Sequence, residues 1–165
     1  DTLYFSIDDG TTNVDVVTNF DVRVANDLIS VDVSELSNPI SFGNGSAATA
    51  AAAGTITIVE QSINTNLNHS SNAAASIIKL NPTDKSTFAT ALGTSEITVA
   101  NNATISILWF DSTNNQAVFG YVNENSASPD ENLIKAEDTF TEIVRLTITE
   151  STYTHFLDND NFIFI

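Results

Sequence analysis

The chain has 165 residues, 42% of them apolar, which is enough for one packed core, and no apolar stretch approaches the roughly 18 residues of a membrane helix. Five basic residues face 21 acidic ones, for a formal net charge of −16. That balance excludes nucleic acid, whose binding rests on Lys and Arg displacing phosphate counterions, and leaves cations or a basic protein surface as partners.

In chain order, Leu3, Phe5 and Ile7 alternate with Tyr4 and Ser6, and Asp8-Asp9-Gly10 then supplies a turn. Val14 to Val17 and Leu28 to Val33 repeat the pattern of an apolar strand with interleaved acids. Gly43, Gly45 and Ser46 form a flexible segment, followed by the alanine run from Ala47 to Ala53 and by Gly54. Alanine favours a helix and Gly a helix end, but the run has few side chains to anchor one, so helix and surface loop both remain open. Thr55 to Val59 is β-branched and reads as a strand; Asn64 to Asn72 is polar and reads as a loop. Ala73 to Leu80 fits either a helix turn or a buried strand.

Pro82-Thr83-Asp84 predicts a helix start with Thr83 or Asp84 as N-cap, Phe88 and Leu92 on one face, and Gly93 as its close. Ala103 to Phe110 and Gln116 to Val122, flanking a polar turn at residues 111–115, predict a hairpin with Trp109, Phe110, Phe119 and Tyr121 around its core. Residues 123–130 read as a loop. From Glu142 to Thr149, Val144, Leu146 and Ile148 share one face, with Glu142, Arg145 and Thr147 mostly on the other. Residues 158–161 form a last turn before Phe162-Ile163-Phe164-Ile165. Nothing recurs at a fixed period. The pattern predicts an all-β fold, a mainly antiparallel sandwich or β-roll cap, with one or two short helices.

No catalytic constellation stands out. Cys is absent, which removes disulfides and thiolate metal sites and is compatible with an extracellular protein; no Gly-x-Ser-x-Gly occurs either. His69 and His155 lack the paired spacing of a zinc site and are expected on the surface. Paired carboxylates for glycoside hydrolysis are available among 21 acids, yet Trp109 and Phe110 lie in an apolar strand and read as core rather than as a sugar platform. The protein is not expected to be an enzyme. Met is absent and the chain begins at Asp1, so a piece or processed product of a longer protein is expected, with any export address at the C-terminal end.

Two segments carry a resemblance. The run from Asp15 to Asp21, followed by that from Asn26 to Ser34, resembles the segment that follows the calcium-binding nonapeptide repeats of RTX proteins, including the serralysin C-terminal domain and cyanobacterial surface proteins. Asp158, Asp160 and the terminal Phe162-Ile163-Phe164-Ile165 resemble the acid-plus-hydrophobic tail of uncleaved type I secretion signals. Thr87 to Gly93 and Ile105 to Val122 look like the short helix and hairpin of the same region. The nonapeptide itself, Gly-Gly-x-Gly-x-Asp-x-aliphatic-x, does not occur in this sequence.

The resemblance implies an organisation with residues 1–36 as the end of a β-roll and residues 37–165 as a β-rich cap, together one compact domain. It implies calcium at one or more of Asp8, Asp9, Asp15, Asp21, Asp27 and Asp32, because calcium collects six to eight oxygens and half a site can be completed by turn carbonyls or a preceding repeat. The plain reading of these acids is that Asp favours turns, and of the acidic surface that it keeps the chain soluble. Asp158, Asp160 and Phe162 to Ile165 are the expected secretion signal, read by a type I transporter. The implied function is a non-catalytic structural cap on an extracellular surface, adhesin or surface-layer protein, able to self-assemble through exposed terminal strands, without nucleic-acid binding or membrane insertion. The alternative is a calcium-dependent adhesin module binding carbohydrate or a surface through loops near Asn44 and Asn123.

Overall fold

The structure, a computed structural model, describes residues 1–5, 14–22, 27–33, 40–70, 76–81, 85–124, 132–155 and 157–165. At its centre lies β8 (Thr104–Asp111), buried along its whole length. A strand covered on both faces has no solvent side for polar residues, which accounts for the unbroken apolar run from Ile107 to Phe110. β8 pairs antiparallel with β9 (Gln116–Asn123) across the expected polar turn. Asp111 closes that turn by accepting from the backbone N–H groups of Thr113 (3.0 Å) and Asn114 (3.2 Å), while Asn115 takes a left-handed φ of 52°.

Around this hairpin the sheet is mixed. β11 (Phe140–Thr147) runs antiparallel to β9, and β2 (Asp15–Val17) lies parallel outside it. On the other flank, β6 (Ser76–Leu80) is parallel to β8, and β4 (Thr57–Gln61) is parallel to β6. The order is β2-β11-β9-β8-β6-β4. A second sheet is wholly parallel and sets β3 (Leu28–Val31) between β1 (Thr2–Phe5) and β12 (Phe162–Phe164). A third, small sheet pairs β7 (Ile97–Thr98) with β5 (Leu67–Asn68) and β10 (Leu133–Ile134).

Two cores follow from the alternation along β8. Leu108 and Phe110 face the wholly parallel sheet and join Ile29, Val31, Phe119, Val144, Leu146, Phe162 and Phe164. Ile105, Ile107 and Trp109 point the other way, towards α1 (Phe88–Leu92) and the small sheet, where they meet Phe88, Leu92, Ile97 and Ile134. Full burial of each large side chain contributes roughly 1.5–3 kcal/mol over exposure, so the two cores together supply the main driving force.

The chain is mostly β, as expected, with 44% strand, 11% helix and two short helices. The strand pairing departs from the mainly antiparallel expectation. β9 is flanked by antiparallel neighbours, but β1, β2, β3, β4, β5, β6 and β12 enter their sheets through parallel pairs. Long connections such as the one from β6 to β8 permit this, since parallel neighbours require a crossover.

Local differences have local causes. The N-cap of α1 is Thr87, not Thr83 or Asp84, which lie outside the described residues; Thr87 Oγ1 accepts from the Thr90 N–H at 3.2 Å, and Gly93 ends the helix as expected. The alanine run is not helical. Ala47 bridges Ser41 and Ala51 bridges Phe164, their small side chains letting the segment lie close to the terminal strand. The predicted strand at residues 55–59 is shifted to Thr57–Gln61, and Leu67–Asn68 forms a short strand within the segment read as loop. Residues 76–80 resolve the ambiguous segment in favour of a strand. A second helix, α2 (Glu150–His155), follows β11, with Thr149 Oγ1 accepting from the Thr152 N–H at 3.1 Å.

Gly120 marks a close approach in β9. A methyl group there would lie 2.7 Å from the Phe140 ring and would collide with the Thr141 carbonyl of the neighbouring strand. Gly120→Ala is therefore expected to cost about 1–3 kcal/mol, seen as a lower urea midpoint at unchanged slope; a midpoint equal to wild type would show that this contact relaxes freely.

Candidate functional site

The predicted export tail is a strand of the folded protein. In β12, Phe162 lies opposite Ile29 and Phe164 opposite Val31, and both rings are buried. The outer edge of β12 is also occupied: Phe164 and Ala51 exchange two backbone hydrogen bonds of 2.9 Å each. Beyond the strand, the Ile165 N–H donates to Val31 O (2.9 Å), and Ile165 O accepts from the Val33 N–H (3.1 Å). Ile163 is half-buried on the opposite face, and Ile165 is 46% exposed.

The two acids of the predicted signal shape the turn that delivers this strand. Asp158 caps the 3-10 turn at Asn159–Asn161, its Oδ1 accepting from the Asp160 N–H at 3.0 Å. Asn161 returns the bond through Oδ1 to the Asp158 N–H (3.2 Å) and reaches with Nδ2 to the carbonyl of Asp27 (3.4 Å). Asn159 and Gly54 join the turn to the end of the alanine run through bonds of 2.9 and 3.1 Å. The Asp-Asn pattern is thus used to turn the chain and to dock it.

Of the predicted calcium residues, Asp15, Asp21, Asp27 and Asp32 lie among the described residues. Asp8 and Asp9 lie outside the described residues. Asp15 opens β2 and is exposed; Asp32 is half-buried just after β3. Asp21 and Asp27 do come together: the Asp21 N–H donates to Asp27 Oδ2 (2.7 Å), while Oδ1 takes the N-terminal ammonium of Asp1 (2.9 Å). The Asp21 bond first, and the ammonium second, hold the Asp27 carboxyl below its ordinary range. Among the described residues, no group of three or more His, Cys, Asp or Glu is placed to hold a metal. At the hairpin turn, burial raises the Asp111 carboxyl, but bonds from Asn114 and Arg145 outweigh it and the net displacement is downward. Arg145 spans Asp111 (2.9 Å) and Glu142 (2.6 Å), tying β8 to β11.

Three buried polar groups were not expected. Lys79, in the central strand β6, is 4% exposed; its Nζ donates to Leu157 O (3.1 Å) and sits 5.0 Å from the centre of the Tyr153 ring. Burial lowers the Lys79 pKa, with Glu60 and Asp158 opposing. Tyr153 donates to the carbonyl of Leu80 (2.6 Å), with the carbonyl of Leu108 at 3.2 Å from its hydroxyl, and burial raises its pKa well above the ordinary value. Together these side chains fasten α2 and the start of the terminal segment to β6 and β8. The sequence signal was a lysine within Ile77-Ile78-Lys79-Leu80, an apolar stretch where a cation needs a partner.

His69 is the third, and it corrects the expectation of a surface histidine. It is 2% exposed, follows β5, and lies beneath Gly43, where any side chain would collide with its backbone and ring. The Gly43 approach explains the burial: without a side chain at 43, the loop closes over the imidazole. His155 is exposed on α2, as expected.

No family model matches the chain, and neither a curated protein nor a solved structure matches it.

Burial lowers the His69 pKa from its ordinary 6.5, so on acidification the unfolded chain takes up this proton first. The folded state consequently loses stability as pH falls through 6.5 towards the lower folded value. Urea unfolding at about pH 7 and about pH 5 should show a steeper loss in wild type than in His69→Gln; parallel losses would assign the acid sensitivity to carboxylates instead.

Proposed function

We propose that this is a non-catalytic structural domain of an extracellular or cell-surface protein, whose last residues act first as the signal for a type I transporter and then as a strand of the fold. The observation that carries this reading is β12, with Phe162 and Phe164 buried and both strand edges paired. A transporter can grip an apolar tail only while it is extended and free. In the folded domain the same side chains are out of reach, so signal and strand are two uses of one segment at successive times.

The charge supports the same order of events. Sixteen net negative charges oppose compaction, and a divalent cation relieves that opposition. Calcium is the cofactor of this reading, acting where it is plentiful outside the cell. Asp27, Asp111 and Asp158 are already engaged by backbone N–H groups, so exposed acids such as Asp15 are the ones a free cation meets first. Self-association belongs to the same reading. Tyr4 is 73% exposed on the outer face of the wholly parallel sheet, which also carries Ile163 and Ile165, and parallel sheets are ordinarily covered on both faces.

Deleting Asn161 to Ile165 is expected to abolish export while synthesis continues, measured by fractionating culture medium and cells. Normal secretion of the shortened protein would defeat the export reading. Calcium is expected to raise the thermal midpoint of the purified domain more than sodium chloride of equal ionic strength. Equal rises would leave calcium no specific part.

A further inference from the structure

The edges of the three sheets differ in what they leave open. β12 is paired on both sides, by β3 and by Ala51. β5 and β10, at the rims of the small sheet, are two residues long. β2 opens on the exposed carboxylate of Asp15, and β4 carries the exposed Glu60. Charge on an edge strand keeps other strands from pairing with it. β1 has no such protection: Thr2 to Phe5 include no charge and no proline, and the register with β3 is uninterrupted.

Only half of the β1 main chain is used. The Leu28 N–H donates to Asp1 O (2.8 Å) and the Asp32 N–H to Phe5 O (3.4 Å), so Asp1, Leu3 and Phe5 turn their main chain towards β3. By the alternation of a strand, Thr2 and Tyr4 turn theirs outward. Among the described residues, nothing bonds the outward N–H and C=O groups of Thr2 and Tyr4. Both residues are exposed, and Tyr4 is the most exposed of the large apolar side chains described. Open main-chain groups on an exposed, uncharged strand are a template for one more strand.

The pattern is self-complementary. Run antiparallel to itself about a two-fold axis at Leu3, β1 sets Thr2 opposite the partner's Tyr4, and Tyr4 opposite the partner's Thr2. Residues facing each other in this way exchange both of their main-chain bonds, which leaves no open group on either edge. Charge favours the same register. Two copies of net charge −16 repel over most of their surfaces, and β1 is an uncharged segment where they can meet. Antiparallel pairing places Asp1 opposite the partner's Phe5, so the two Asp1 carboxylates lie roughly 14 Å apart along the strands, beyond the Debye length of about 10 Å at 0.1 M salt. We propose that β1 is a self-pairing edge that joins two copies of this chain through the main chain of Thr2 and Tyr4. The proposal rests on the self-association part of the functional reading and supplies its contact. The export part does not enter, because β12 lies on the far side of β3.

Sedimentation of the chain at concentrations up to about 1 mM should show a dimer with a Kd on the order of 0.1 mM, as suits a small contact between like-charged copies. Sodium chloride should tighten it by screening that repulsion. Over the same concentrations, hydrogen exchange followed by nuclear magnetic resonance should slow ~3-fold or more at the Tyr4 amide, and less than ~2-fold at the Leu3 and Phe5 amides, which face β3. Thr2→Pro deletes one outward N–H, keeps the bonds to β3 and leaves the Tyr4 ring in place, so it should weaken the dimer ~10-fold or more. Tyr4→Thr keeps its N–H and should dimerise within ~5-fold of wild type. A dimer that persists in folded Thr2→Pro, or is lost in Tyr4→Thr, or leaves the Tyr4 amide unprotected, would overturn the edge contact while self-association stands. A wild-type chain that stays monomeric at about 1 mM would sink both. If Thr2→Pro does not fold, the Tyr4 amide of the unaltered chain decides.

Discussion

The architecture depends on one pairing: β3, from the first part of the sequence, is held between β1 and the final strand β12. Ile29 and Val31 enter the core beside Phe162 and Phe164, so the ends of the described chain build one wall of the sandwich together. The other wall is the six-stranded sheet, whose edge strand β2 also comes from the beginning of the sequence. Removing the terminal strand would therefore uncover Ile29, Val31, Phe110 and Phe119 at once. Phe119 meets Phe162 directly, ring centroids 5.2 Å apart, which joins the hairpin to the last residues.

Polar groups reinforce that closure from inside. A lysine ammonium is costly to bury, and Lys79 is kept by three partners: the Leu157 carbonyl, the Tyr153 ring and, at 3.8 Å, Glu60. The arrangement places a charge where an apolar side chain would also fit. Its effect is directional, since only one position of the terminal segment offers the Leu157 carbonyl to Nζ. Tyr153 does the same for α2 through the carbonyls of Leu80 and Leu108. The satisfaction is not complete: the buried hydroxyls of Ser106, on the same face of β8 as Leu108, and of Ser30 have no partner, nor has the Trp109 indole on the opposite side of the sheet.

Much of the strand content was legible because it rests on local pattern. The hairpin of β8 and β9 was visible in two apolar runs around Asp111 to Asn115, and the core face of β11 in the alternation of Val144 and Leu146. Pairing direction was not legible, since nothing in Leu28 to Val31 or Ser76 to Leu80 distinguishes a parallel neighbour from an antiparallel one. The alanine run left helix and surface loop both open because propensity ignores tertiary partners, and Ala51 finds its partner in Phe164, far along the chain. Of the candidate site residues, the terminal group shares one turn and strand, and of the described Asp residues Asp21 and Asp27 meet. An acid in a turn-rich sequence reads alike whether it would bind an ion or, as Asp111 and Asp158 do, a backbone amide. The burial of His69 depended on Gly43, a contact without a local signature.

The wholly parallel sheet has a consequence for timing. Synthesis proceeds from the N-terminus, so β1 and β3 emerge early, yet the strand that completes their sheet is at residues 162–164. No partial chain that lacks those residues can build this wall of the sandwich, however long it waits. Closure is a late event joining segments more than 130 residues apart, with the slow folding expected when contacts are distant in sequence. The nascent domain is thus held incomplete, by the order of its strands alone, until residues 162–164 have emerged.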